Sequence, residues 1–464
     1  QWELKNYFNQ LYTKEKYTWG IRSYIRYTHC PASLTVAHRN LPILFADNML
    51  IANCIYHRNE LSSSDNISEN TYRTVIGQTH ESILAEYEEM NTGNAYTDNA
   101  LYGMRKINGV NYQLTGGFCG ELSSVKQENA YSAHSYSFYT VPRIEWERND
   151  FLFTAATTVR WSHLPKQSYS RFCVSPFFCF RYKFTPRWKM SLLGSLDESE
   201  GGLKDIYPFR YREDYRTVVK HTGKVPVTVR QLYTCYLEYK NTIKEFFWTL
   251  SASYSHNRYN LITERNYKDG NFYLSSVERN HSSHSYTLNT IGSKGIYDWN
   301  LKTSLELTLV RNEGKQLNEG IVQDYRYDYL CIEPKIVWAP SVFFEAEYKA
   351  TVSCVGGGIG EDTSLDPLWE VAQRLTLSLE FHDTEFRLSG EHFYNDLSKN
   401  QHLNIWLADV SLIHKAGKWR FAASAINLFN KEQYRYTLYS AVQSYTSWIK
   451  LRPREFMVSV QYQW

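Results

Sequence analysis

Apolar and polar residues alternate one by one along most of this chain. In its last nine residues, Phe456, Val458, Val460, Tyr462 and Trp464 fall on one face, and Met457, Ser459, Gln461 and Gln463 on the other. A period of two is that of a β-strand, whose successive side chains point to opposite faces. The pattern returns as hairpins. Phe172, Val174, Phe178, Phe180, Tyr182 and Phe184 lead to Thr185-Pro186-Arg187, and Trp188, Met190 and Leu192 come back on the same face. Tyr233, Cys235, Leu237 and Tyr239 climb to a turn near Asn241, with Trp248, Leu250, Ala252 and Tyr254 returning. Equivalent pairs flank Ala339-Pro340-Ser341, His382-Asp383-Thr384 and Ala416-Gly417.

Between the apolar positions lie Arg181, Lys183, Glu238, Lys240, Glu333, Lys335, Glu347, Lys349, Arg374, Glu385 and Arg387. Charges at every second position are costly in a packed sandwich core and cheap against a wet lumen. Connections also alternate in length. Short turns near Asn149, Pro186, Asn241, Tyr297, Pro340, Asp383 and Gly417 are separated by polar links at 196–229, 258–284, 312–324, 355–367, 396–402 and 429–451. These features together predict an all-β fold, a transmembrane antiparallel β-barrel of about 20 to 22 strands with short periplasmic turns and long extracellular loops. Residues 1–464 read as one barrel domain, with no dividing linker. In the first 130 residues the strand candidates are 17–27, 49–57, 82–89 and 112–121, with a hairpin signal at Asn108-Gly109.

Composition agrees with this picture. The chain has 38 tyrosines and 16% aromatic residues, but no apolar run of the roughly 18 residues that a transmembrane helix needs. A net charge of +3 argues against a nucleic-acid partner, which calls for a concentrated basic field. The eight cysteines form no C-x-x-C pair and sit mostly in strand-like stretches, as small hydrophobes do.

Asn427-Leu428-Phe429-Asn430, the Tyr-rich loop after it, Arg452-Pro453-Arg454-Glu455-Phe456 and the final strand resemble the C-terminal end of TonB-dependent outer-membrane receptors. Asp205-Ile206-Tyr207-Pro208 with Asp214-Tyr215-Arg216 is similar to the variety of that family with an N-terminal carboxypeptidase-regulatory-like domain. The resemblance implies a bacterial outer-membrane receptor that takes up a nutrient ligand. Its partners would be outer-membrane lipid and TonB, reached through an N-terminal region. Such receptors begin with a TonB box and a plug domain, and neither is recognisable before Tyr17. The expectation is therefore a barrel portion whose plug and TonB box are missing from this chain. The stripe Phe456, Val458, Val460, Tyr462, Trp464 resembles the signal that the barrel assembly machinery reads in its clients. A surface lipoprotein partner on the loops is left open.

The candidates for ligand contact are Tyr207, Arg210, Tyr211, Arg212, Tyr215 and Arg216 in one long loop, with Tyr436 and Trp448 in another. Tyrosine faces and forked guanidinium donors suit small molecules, glycans or peptides. The competing readings are a loop packed by its own aromatics and an interfacial aromatic girdle. His281-Ser282-Ser283-His284 with Asp324 matches no nucleophile elbow or zinc motif and reads as a polar loop. Gly356-Gly357-Gly358-Ile359-Gly360 lacks the Lys-Ser/Thr of a phosphate loop; it reads as a flexible turn or a place of close backbone approach. No catalytic residue, metal site or cofactor is implied, so an enzyme is not expected. The alternative to an energised importer is a plugless, porin-like passive channel.

Overall fold

The computed structural model describes residues 2–14, 17–39, 83–126, 130–213, 217–268, 271–360, 363–398, 401–439 and 444–462. The strand candidate 49–57, Tyr215, Arg216 and Trp464 lie outside them. The strands are β1 (Trp2–Lys14), β2 (Tyr17–Arg39), β3 (Ile83–Ile107), β4 (Val110–Lys126), β5 (Ala130–Arg148), β6 (Phe151–Leu164), β7 (Tyr169–Thr185) and β8 (Trp188–Glu200). Two short ones follow, β9 (Tyr211–Arg212) and β10 (Thr217–Lys220). Then come β11 (Val227–Asn241), β12 (Phe246–Lys268), β13 (Asn271–Ile296), β14 (Leu301–Asn318), β15 (Ile321–Ser341) and β16 (Phe344–Ile359). The last are β17 (Thr363–Phe381), β18 (Thr384–Ser398), β19 (Gln401–Ala416), β20 (Trp419–Ile426), β21 (Gln433–Tyr439), β22 (Ser444–Lys450) and β23 (Glu455–Tyr462).

These form a 21-stranded barrel sheet, with β21 and β22 as a separate hairpin. Apart from β9 and β10, strands of the large sheet pair antiparallel with their neighbours in sequence, and β20 pairs with β23. Among the described residues no ladder joins β1 to β23. The two run in the same direction, so they are not a pair that an antiparallel ladder joins directly.

The alternation sorts the faces as expected. Phe178 lies opposite Ala155 on β6 and Gly194 on β8, and Phe386 opposite Leu379 and Leu412. This outer face leaves Phe172 63%, Phe456 74% and Val458 81% exposed. The other face carries the charges as cross-strand pairs: Lys189 with Glu238 at 3.0 Å, Lys335 with Glu347 at 3.6 Å and Arg374 with Glu391 at 3.4 Å. Neighbouring opposite charges on one face of a sheet support the pairing register.

Several turns follow local chemistry. Asn108-Gly109 connects β3 to β4 with φ of 48° and 82°, the double positive φ of a type I′ hairpin. Glu319-Gly320 repeats it with 48° and 79°. Two expectations need correction. The supposed polar links at 258–284, 312–324, 355–367 and 396–402 are mostly strand. Strand β12 runs to Lys268 and β13 starts at Asn271, while β14 and β15 meet across Glu319-Gly320. Likewise β16 runs to Ile359 and β17 starts at Thr363, and β18 runs to Ser398 and β19 starts at Gln401. Backbone pairing does not require an apolar face, so polar strands continue beyond the apolar band where hydropathy alone reads loop. Strand β1 was also unforeseen, because the adjacent apolar pairs Tyr7-Phe8 and Leu11-Tyr12 break the alternation.

Candidate functional site

The rim with the long connections is built around residues 201–226. The loop is closed at its base, where the Gly201 N–H donates to the Pro226 carbonyl at 2.7 Å. The Gly202 N–H donates to the Asp205 carboxylate at 2.8 Å, bending the chain into a short 3₁₀ turn at Leu203–Ile206. That turn delivers Ile206 (0% exposed) and Tyr207 (3%) to Tyr131 and Ala133 of β5 and Leu164 of β6. Those three residues are on the charge-bearing face, so the loop folds into the mouth of the barrel. The Tyr131 and Tyr207 rings meet edge to face at 5.6 Å. Burying a side chain such as Ile206 stabilises docking by about 1.5–3 kcal/mol.

The far side of the loop is tied to the β12–β13 hairpin. Strand β10 pairs in parallel with β13, Thr217 opposite Phe272 and Lys220 opposite Ser275. His221 bridges the two: its Nε2 lies 3.3 Å from the Tyr211 hydroxyl and its Nδ1 3.2 Å from Ser276 Oγ. Burial pushes the His221 pKa below its ordinary value, against the opposing pull of Asp205 and Glu213. Asn260 holds the hinge of the hairpin, where the β12–β13 register shifts between Tyr259 and Leu261. Its side chain accepts from the Val227 N–H at 2.7 Å and donates to the Val225 carbonyl at 2.9 Å.

The wall splits beside this loop. The β7–β8 ladder stops at Phe177 opposite Ser195, whereas β8 goes on pairing with β11 up to Glu200 opposite Val227. Side chains close the split: Arg171 donates to Glu198 at 3.0 Å, and Arg160 and Ser162 donate to Glu200 at 3.2 and 3.1 Å. Removing one partner of such a part-buried pair strands the other charge. Behind it lies a cavity of about 790 Å³ between Tyr169 and Arg171 of β7 and Val229, His256 and Arg258 of β11 and β12.

A second cavity, also about 790 Å³, opens on the lumen face of β8 and β11–β15. Asp197 and Arg230 sit opposite each other at one end. Asn257, Ser283, Asn312, Tyr325 and Tyr327 continue it across the strands. Tyr325 is opposite Gly314, and its ring lies over that glycine so closely that a Cβ there would meet it at 3.0 Å. Next to Tyr327, Gly357 adopts φ +148°, and a Cβ would overlap the Arg326 carbonyl. The run from Gly356 to Ile359 is thus part of β16, with Gly360 in the turn beyond it, and the close approach explains Gly357.

The residues singled out by sequence separate here. Tyr207 is a packing residue of the docked loop. Arg210 places its guanidinium 5.4 Å from the centre of the Tyr273 ring. Tyr211 joins the His221 bridge, and the Arg212 backbone pairs with Val218. Tyr436 and Trp448 belong to the β21–β22 hairpin, opposite Ser447 and Arg435. Asn427 anchors the base of that hairpin: buried, with φ +53°, it donates to the carbonyls of Lys431 and Arg452, both at 2.8 Å. His281 and His284 lie on β13 rather than in a loop, with His284 Nδ1 2.9 Å from the Tyr254 hydroxyl. Asp324 is on β15, 3.5 Å from Lys315. No cluster able to hold a metal occurs among the described residues. Sequence reasoning missed the cavity lined by Asn257, Asn312 and Tyr325. The one signal was Gly314 breaking an otherwise bulky alternation.

No protein-family model matches the chain, and no curated protein matches it. Among solved structures, it is similar to the ferric yersiniabactin uptake receptor FyuA of Yersinia pestis. The two share 10% identity at a TM-score of 0.39, over 96% of this chain and 68% of that one.

Proposed function

We propose that this chain forms the barrel wall of a bacterial outer-membrane receptor that imports a nutrient ligand by TonB-dependent transport. The exposed apolar face carries the proposal. Phe172, Phe456, Val458 and their neighbours are costly to hydrate and at no disadvantage in hydrocarbon, while paired charges line the opposite face. Ligand capture is assigned to the mouth, with Arg210 and Tyr211 of the 201–226 loop as contacts and Arg212, Tyr215, Arg216, Tyr436 and Trp448 as further ones. A wide polar barrel leaks unless it is gated, so a plug and energy from TonB belong to the proposal. The stripe Phe456, Val458, Val460, Tyr462 and Trp464 would serve the assembly machinery.

A constricting loop over a polar lumen also suits a passive channel. The two are separated by measuring uptake of ferric chelates and oligosaccharides in cells producing the protein, before and after an uncoupler dissipates the inner-membrane gradient. Importer function predicts that uptake stops. Continued uptake removes the importer and leaves the channel.

A further inference from the structure

We propose that the lumen-side cavity takes an uncharged, polyhydroxylated ligand with flat apolar faces, an oligosaccharide. This rests on the importer proposal and names its substrate class. The chemistry of the lining points there. Asp197 and Arg230 face each other on paired strands, so the one acid and the one guanidinium compensate. What remains is largely amide and hydroxyl: Asn257 donates to Ser283 at 3.3 Å, and Asn312 lies opposite Tyr327. Such groups both donate and accept, which matches sugar hydroxyls and gives no preference for anions. Tyr325 supplies the flat surface. Because Gly314 has no side chain, the ring packs close against the wall there while it lines the cavity, where it offers an aromatic surface for stacking on a sugar ring.

The neighbouring cavity shows what a different ligand would require. It holds Arg171, Arg258 and His256, but Arg171 is bound to Glu198 and the Arg258 Nε donates to His256 Nε2 at 3.1 Å. Arg171 is engaged in closing the split wall and Arg258 is held within its own strand, and all three lie on the far side of β11 and β12 from the lumen cavity. An anionic chelate would find more positive charge there than in the lumen-side cavity, whose one guanidinium faces Asp197.

The test uses the full protein, purified from outer membranes in detergent. It is titrated with neutral hexasaccharides of glucose, xylose and mannose, and with ferric citrate and a ferric catecholate. Saturable binding of at least one hexasaccharide is expected, changing less than about twofold between 0.1 and 1 M NaCl, because no ion pair is screened. Tyr325→Ala should weaken it about 10-fold or more, and Asn312→Ala about 3-fold or more, whereas Tyr325→Phe, which keeps the stacking face, stays within about 3-fold. Heat-dependent gel mobility shows that each variant is folded. The proposal is overturned if none of the hexasaccharides binds at millimolar concentration, if binding survives Tyr325→Ala, or if only the anionic chelates bind, with a steep salt dependence. A heat-modifiable outer-membrane barrel that takes up a chelate on an energised membrane would keep the importer proposal and sink only the oligosaccharide.

Discussion

Below Ser195 the wall is a ladder that repeats from strand to strand, whereas above it β8 parts from β7 and a packed loop enters the mouth. The two regions are held by different forces. In the lower wall each residue's role follows from its face, and the backbone ladder supplies the order. In the mouth, order depends on a few side chains: Ile206 and Tyr207 in an apolar socket, His221 and Asn260 as bridges, and the Arg160, Arg171, Glu198 and Glu200 group across the split. The lower wall is therefore tolerant on one face and intolerant on the other. The mouth is sensitive at single points.

The sharpest test sets neighbouring residues of β17 against each other. Leu375 is on the apolar outer face and Thr376 on the lumen face. Leu375→Arg should cost about 2–4 kcal/mol at the bilayer midplane. Thr376→Arg should cost well under half of that, as read from urea unfolding in lipid vesicles. Equal costs would mean that the outer face is not in lipid.

Next in size is Ile206→Ala, expected to weaken loop docking by about 2–4 kcal/mol through lost burial and an unfilled socket. Amide exchange should accelerate within 201–226 and stay slow in β14–β16. If exchange rises equally in both, mouth and wall form one cooperative unit.

A smaller effect comes from pH. The docked loop lowers the His221 pKa through burial, so docking favours the neutral ring. The docked loop binds fewer protons than the free one. Docking is at full strength above the ordinary value of 6.5 and weakens as pH falls from there through the lowered value. Protease nicking within 201–226 should rise between pH 7 and 5 and lose that rise in His221→Gln. Asp205 and Glu213 oppose the trend, which keeps it modest. A flat profile in the unsubstituted protein would show that His221 does not couple docking to protons.

Legibility followed the same division. Faces, short turns and the I′ turn at Asn108-Gly109 could be read directly, since a two-residue period and a double positive φ are local properties. The polar extensions of β12 to β15 could not, because strand formation there rests on pairing partners and not on an apolar stripe. Tyr207 looked like a ligand contact because an aromatic residue in a polar loop signals exposure; its burial depends on Tyr131, 76 positions earlier in the chain. The lumen-side cavity was invisible for the same reason. Asn257, Ser283, Asn312 and Tyr325 come from four strands, and each is unremarkable within its own.

By itself, the sequence determined that the chain is all-β, which residues share a face, and that one face is apolar while the other is charged. Those properties are written within each strand by alternation. Only the tertiary structure decided that 201–226 folds inward, that the wall parts between β7 and β8, and that Gly314 leaves room for the Tyr325 ring. Each of these depends on contacts between segments distant in the chain, whose free energy no local pattern encodes.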